Sequence, residues 1–321
     1  ANDADEFNRW DAGQRLALTL ILQLVEQHQA GEDFDVSKLA ETYQPFSAAF
    51  KALLQAQGGD LNFRAAALLL PSENYIGGSM AVIDPVAIHA ARTALRRCLA
   101  EEHEALLWQV FEAHADSGDY RVDAINVGKR SLKNISLAYL ATLASDKAIA
   151  ASVAQLGANN MTDVMAGMRN LIDIDCDARK QAINDFYAKW KGDALVVDKW
   201  LSLQAMSSLP GTLEQVKALM QHEAFTIKNP NKVRALISAF VSGNASQFHQ
   251  ATGAGYRFLA EQVITLNSLN PQVAARMVSP LIQWRRYDES RQGLMKAQLQ
   301  RILDTPELSK DVYEVVSKGL L

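Results

Sequence analysis

Two short segments come within one residue of a zinc-hydrolase motif, which sets two histidines one helical turn apart with a glutamate beside the first as general base. His103-Glu104-Ala105-Leu106-Leu107 carries Leu where the second histidine must stand, and His222-Glu223-Ala224-Phe225-Thr226 carries Thr. Each helix then offers a single nitrogen ligand, so both read as surface or satisfied core histidines. His28, His89, His114 and His249 show no ligand spacing. Gly253-Ala254-Gly255-Tyr256-Arg257-Phe258 opens like a dinucleotide fingerprint but lacks the third glycine and a preceding strand. Gly77-Gly78-Ser79-Met80-Ala81 fails the nucleophile-elbow pattern at its last position. Cys98 and Cys176 have no Cys-x-x-Cys partner and read as buried, inert thiols. We therefore expect no catalytic residue and no metal ligand in this chain.

Cations near helix starts survive this search. In the segment that opens at Asn270-Pro271, Gln272 and Arg276 are spaced i, i+4 and share a helix face. Arg234 stands at a similar depth after Asn229-Pro230. If neighbouring helix pairs stack in register, the two guanidiniums meet across one surface and form a receptor for a carboxylate. The competing reading has each arginine paired with an acid of a neighbouring helix. In Trp284-Arg285-Arg286-Tyr287, followed by Asp288 and Glu289, an ion-paired turn or helix start is a better reading than a stacking platform.

The elements that must hold these residues are helical. Hydrophobic residues make up 49% of the 321, and 17 Gly with 8 Pro is too few breakers for a many-turned β fold. Apolar residues recur at three- and four-residue spacing: Phe7, Trp10, Ala17, Leu20, Ile21 and Leu24 form a first stripe and Leu308, Val312, Val315 and Val316 a last. The one strand-like run, Leu195 to Val197, sits inside a longer helical pattern. Asp84-Pro85, Asn229-Pro230, Asn270-Pro271 and Thr305-Pro306 each read as an N-cap with Pro at the first helical position. Gln57-Gly58-Gly59-Asp60, Asp116-Ser117-Gly118-Asp119, Gly157-Ala158-Asn159-Asn160 and Ser242-Gly243-Asn244 mark turns between helices. No segment reads as an interdomain linker. The expectation is one continuous all-α domain over residues 1–321, with about fourteen to sixteen helices stacked as antiparallel pairs in a HEAT- or armadillo-like superhelix.

Charge narrows the partners. With 32 Lys+Arg against 36 Asp+Glu the net charge is −4, which disfavours nucleic-acid binding. The apolar stretch Leu16 to Val25 is about half the ~20 residues a membrane span needs. The opening Ala1-Asn2-Asp3 carries no secretory signal and reads as a cut inside a longer protein.

Several separated motifs carry a resemblance. Glu6-Phe7-Asn8-Arg9-Trp10-Asp11-Ala12-Gly13-Gln14, Leu70-Pro71-Ser72-Glu73, Gly255-Tyr256-Arg257-Phe258-Leu259, Asn270-Pro271-Gln272-Val273-Ala274-Ala275-Arg276 and Trp284-Arg285-Arg286-Tyr287 with Arg291 occur in the order found in the C-terminal region of the bacterial aminopeptidase N family. These are zinc-dependent alanyl aminopeptidases of the gluzincin type, and the resemblance covers the whole chain. It implies a non-catalytic C-terminal helical domain whose partner is an upstream catalytic domain of the same polypeptide, in a cytoplasmic enzyme. Zinc and the loop that holds the substrate amine would lie in that catalytic domain, so this chain alone should be inactive. The helical domain would wall a substrate chamber and control peptide access. By motif position, Arg234, Gln272 and Arg276 would face the peptide beyond the scissile bond.

The alternative is a free-standing helical-repeat scaffold that binds a protein or peptide segment in its concave face. The first helix discriminates. A domain that normally abuts another should present apolar side chains to solvent at its first layer, whereas a scaffold should carry a polar capping repeat.

Overall fold

A computed structural model of the chain describes residues 5–115 and 118–321. The opening Ala1-Asn2-Asp3 and the turn residues Asp116 and Ser117 lie outside the described residues. Among those described there is no strand, only one isolated bridge between Ile83 and Tyr287. The all-α expectation holds. Twenty α-helical segments occur among the described residues instead of the expected fourteen to sixteen, because the helices near the Asn-Pro starts break into stubs such as Pro230–Val233, Ala239–Gly243 and Ser279–Ile282. Leu195 to Val197 lie inside the helix Ala194–Ala205.

Helix starts follow the cap logic. Asp60, Asp123, Asn160, Asp193, Asn229, Asn270 and Asp288 each accept a hydrogen bond from a backbone N–H of the first turn that follows them. The expected start at Thr305-Pro306 is overturned. Those residues form a turn, Glu307 takes φ 57°, and the last helix begins at Lys310 behind Ser309. Asn267 dictates this from outside: its Nδ2 donates to the Glu307 carbonyl at 3.2 Å and its Oδ1 accepts from the Ser309 N–H at 2.9 Å.

The helices gather into two compact units. The first comprises the chain up to Ile76 together with Ala87–Ala182, the second Gly77–Val86 together with Ile183–Leu321. In the first unit the helix Ala124–Ala141 packs against Leu61–Ala67, Glu104–Ala113 and Met161–Ile172. Gly128 permits the closest of these approaches, since a Cβ there would stand 2.7 Å from the Leu61 Cβ. Lys133 and Asp163 are buried among these helices as an ion pair with Nζ–Oδ2 2.6 Å, and Asn134 and Asn160 complete the carboxylate's hydrogen bonds. The first helix, Glu6–Gln29, buries Ala17, Leu20, Ile21 and Leu24. The start of the same stripe is open to solvent, with Phe7 68% and Trp10 36% exposed.

The second unit is centred on the helix Ala254–Leu269, which packs on Pro271–Met277 and Glu289–Leu303. Its core is aromatic: Phe240, Phe248, Tyr256 and Phe258 meet edge to face. Gly253-Ala254-Gly255 owes its glycines to this packing. Gly253 is the left-handed residue before the helix, and a side chain at Gly255 would collide with the Phe248 carbonyl. Trp284–Arg286 form a single 3-10 turn in which the Arg285 guanidinium lies over the Trp284 ring, and neither Arg285 nor Arg286 makes the expected ion pair among the described residues; Asp288 instead caps the helix that follows and pairs with Arg291 at 2.6 Å. Arg286 donates to the Gly77 and Met80 carbonyls and thereby ties residues 77–86 to this unit. Cys98, within the helix Pro85–Glu102, and Cys176, in the bend just before the helix Asp177–Trp190, are half-buried, not buried as expected.

Candidate functional site

The two Asn-Pro starts lie in the second unit and build the site. Asn229 Oδ1 accepts from the Asn231 N–H at 2.9 Å, and Asn270 Oδ1 accepts from the Val273 N–H at 3.2 Å. Proline at the first helical position costs nothing, because its missing N–H would have no partner within the helix. Each start thus fixes where its arginine emerges, Arg234 from one helix and Arg276 from the other.

The helix that begins at Pro230 does not continue regularly. Arg234–Ser238 form one π turn. The Ala239 N–H reaches back to the Arg234 carbonyl, so the Ala235 carbonyl loses its ordinary α-helical partner. Ser202 Oγ lies 2.8 Å from that carbonyl and 2.9 Å from the Asp198 carbonyl, sharing its one proton between them. The π turn inserts an extra residue into the helical repeat and so resets which side chains after Arg234 face outward.

Arg234 and Arg276 line one small cavity of about 120 Å³ with Ser238, Ser242, Val273 and Met277. Both arginines are exposed. Arg234 Nη1 donates to its own helix's Asn231 Oδ1 at 3.0 Å. Neither arginine forms an ion pair among the described residues, so the competing expectation of neutralised surface cations does not describe this site. Gln272, one turn before Arg276, is exposed and lines neither this cavity nor its neighbour.

The neighbour was missed by sequence reasoning. A second cavity of about 260 Å³ is lined by Ile227, Pro230, Leu269, Val273 and the buried Val233 and Leu266, with Lys228 and Asn270 as its polar members. Val273 belongs to both cavities. A signal was present, since an apolar residue precedes each Asn-Pro start: Ile227 in one case and Leu269 in the other.

The zinc-motif near misses are otherwise engaged. His103 is buried, stacks on Phe50 and shares a 2.8 Å hydrogen bond with Ser47 Oγ. His222 Nδ1 accepts from the Ala224 N–H at 3.1 Å, and its ring meets Tyr187 edge-on. Among the described residues no three His, Cys, Asp or Glu side chains gather around a point that could hold a metal ion. No helix among the described residues is long and apolar enough to cross a membrane.

Comparison with known proteins places this geometry. Residues 1–321 match a family described as "Domain of unknown function (DUF3458_C) ARM repeats". The chain is 38% identical over 319 residues to Aminopeptidase N of Escherichia coli (strain K12), covering 98% of this chain and 36% of the relative. It is 37% identical over 320 residues to Aminopeptidase N of Caulobacter vibrioides, covering 99% and 36%. Among solved structures, Legionella pneumophila aminopeptidase A in complex with aspartic acid superposes with a TM-score of 0.86 at 29% identity, over 99% of this chain and 37% of that one. The chain thus spans little more than a third of the length of these relatives. It belongs to the DUF3458_C family of ARM repeats, the C-terminal helical domain of aminopeptidase N.

Proposed function

We propose that this chain serves as the non-catalytic C-terminal domain of a cytoplasmic zinc aminopeptidase, where it walls the substrate chamber and controls peptide access during removal of N-terminal residues. Zinc and bond cleavage belong to the upstream catalytic domain. Arg234 and Arg276 receive the carboxylate of a short peptide, and Gln272 contacts the chain nearby. The observation that supports this best is the sharing of one cavity by two arginines with no carboxylate of their own. Uncompensated cations held side by side repel each other, and a bidentate anion relieves that repulsion. The solvent-exposed Phe7 and Trp10 weigh against the free-standing scaffold, which calls for a polar first layer.

The test uses the full-length enzyme. Arg276→Ala should slow hydrolysis of free-acid di- and tripeptides relative to chromogenic amides without a carboxylate, by about 1–3 kcal/mol in kcat/KM. Equal effects on both substrate types would remove the carboxylate role. Turnover of an alanyl chromogenic substrate by the 321-residue chain alone, with or without added zinc, at a rate comparable to a full enzyme would overturn the non-catalytic reading.

A further inference from the structure

The cavity lined by the two arginines and the apolar cavity beside it share Val273 in their walls. We propose that together they form a receptor for the last residue of a peptide, the arginines taking the terminal carboxylate and the apolar cavity taking that residue's side chain. This rests on the carboxylate role given to Arg234 and Arg276 above, and adds the substrate class: free-acid peptides that end in a branched or aromatic apolar residue.

The size of the cavity decides what it can hold. At about 260 Å³ it falls just under the roughly 300–1,000 Å³ of sites that enclose a whole small molecule, and it suits one side chain. Its lining is mainly apolar, with Lys228 and Asn270 as the polar members. Val233 and Leu266 are fully buried beneath it, and Leu269 stands 48% exposed at its wall. An apolar side chain seated there would cover Leu269 and leave water behind, a gain proportional to the area covered.

Charge decides which group lies next to that side chain. Lys228 on the rim of the apolar cavity, with Arg234 and Arg276 across Val273, makes three cations, none of which forms an ion pair among the described residues. An anion is favoured near these cations, and a further cation is not. In a peptide, the group one bond from a side-chain-bearing carbon that carries a full negative charge is the terminal carboxylate. The same field rejects a terminal Lys or Arg, because Lys228 would face a like charge at the mouth of the cavity.

The 321-residue chain itself is the reagent for the test. Its isotope-labelled form is titrated, with NMR shifts as readout, with N-acetyl-Ala-Leu as free acid, the same dipeptide as C-terminal amide, and N-acetyl-Ala-Ser as free acid. The Leu acid should bind about five- to tenfold tighter than the Ser acid, and tighter than its own amide. Leu269→Ser and Ile227→Ser, both at partly exposed positions, should shrink the Leu-to-Ser ratio towards one and keep the acid-to-amide preference. A ratio that survives both variants, or that is absent from the unsubstituted chain, overturns the apolar subsite and leaves the carboxylate role standing. Equal binding of acid and amide removes the carboxylate role and this inference with it. Shifts at both cavities that grow with protein concentration in the absence of peptide would assign the surface to a second copy of the chain and likewise overturn the proposal.

Discussion

Arg234 and Arg276 emerge from two different helices into one cavity, and no carboxylate among the described residues answers either charge. The first unit treats a cation in the opposite way. Lys133 is buried and paired with Asp163, whose carboxylate also accepts from Asn134 and Asn160. Buried Arg64 is held differently again, by the Leu53 and Leu54 carbonyls with no acid beside it, whereas Arg234 and Arg276 are exposed and free of ion pairs among the described residues.

The Lys133–Asp163 pair gives the first expectation. Lys133→Met strands a buried carboxylate and should destabilise the chain by about 3–5 kcal/mol. The double variant Lys133→Met/Asp163→Leu should recover part of this loss, because neither charge then remains. Urea unfolding curves of the two variants check it, and a double variant as unstable as the sum of both single changes would contradict it.

Two glycines should respond with opposite signs. Gly255→Ala drives a methyl group into the Phe248 carbonyl, a backbone atom that cannot swing away, and should cost about 2 kcal/mol or more. Gly293→Ala, on an exposed helix position with nothing nearby, should stabilise by about 0.5–1 kcal/mol through helix propensity. Thermal melts read both.

His249 should dominate the acid limb of stability. Its Nδ1 lies 2.9 Å from the Tyr256 hydroxyl and its Nε2 3.2 Å from that of Tyr287. Burial, with the Arg291 guanidinium adding to it, pushes the imidazole down to about 3. The unfolded chain takes up a proton on this side chain below pH ~6.5, whereas the folded chain resists until about 3. Stability is therefore full above ~6.5 and is lost as the pH falls through that window, by up to about 4 kcal/mol. His249→Phe should flatten that slope and, by stripping two buried tyrosine hydroxyls of a partner, cost about 1–3 kcal/mol at pH 7. Denaturant midpoints from pH 7 to 4 compare the two proteins.

His89 should act with the reverse sign. Its Nδ1 meets Glu73 Oε1 at 2.7 Å, and that hydrogen bond raises the imidazole above its ordinary value of 6.5. Folding then favours the protonated form, so the pair's contribution is complete below ~6.5 and fades as the pH climbs through the raised value. His89→Gln should lower the midpoint at pH 6 and leave it nearly unchanged at pH 9. Because both partners are partly exposed, the effect is smaller than at His249.

Much of this protein is local and therefore readable in the chain itself. Helix content follows from three- and four-residue spacing and few breakers, and the Asn-Pro starts name both cap and first residue, since each cap bonds to an N–H only two or three positions away. The lack of a second histidine in each zinc-like segment is local too. The shared cavity of Arg234 and Arg276, the apolar hollow beside it and the π turn at Arg234 are settled by which helices touch. Ser202 can donate to the carbonyl that the π turn frees only because another helix carries it there. Thr305-Pro306 shows the same limit from the other side: its cap-like sequence yields to Asn267, a side chain some forty residues earlier that holds the turn open. Spacing along one helix fixes which face a residue occupies, and only packing decides what stands opposite that face.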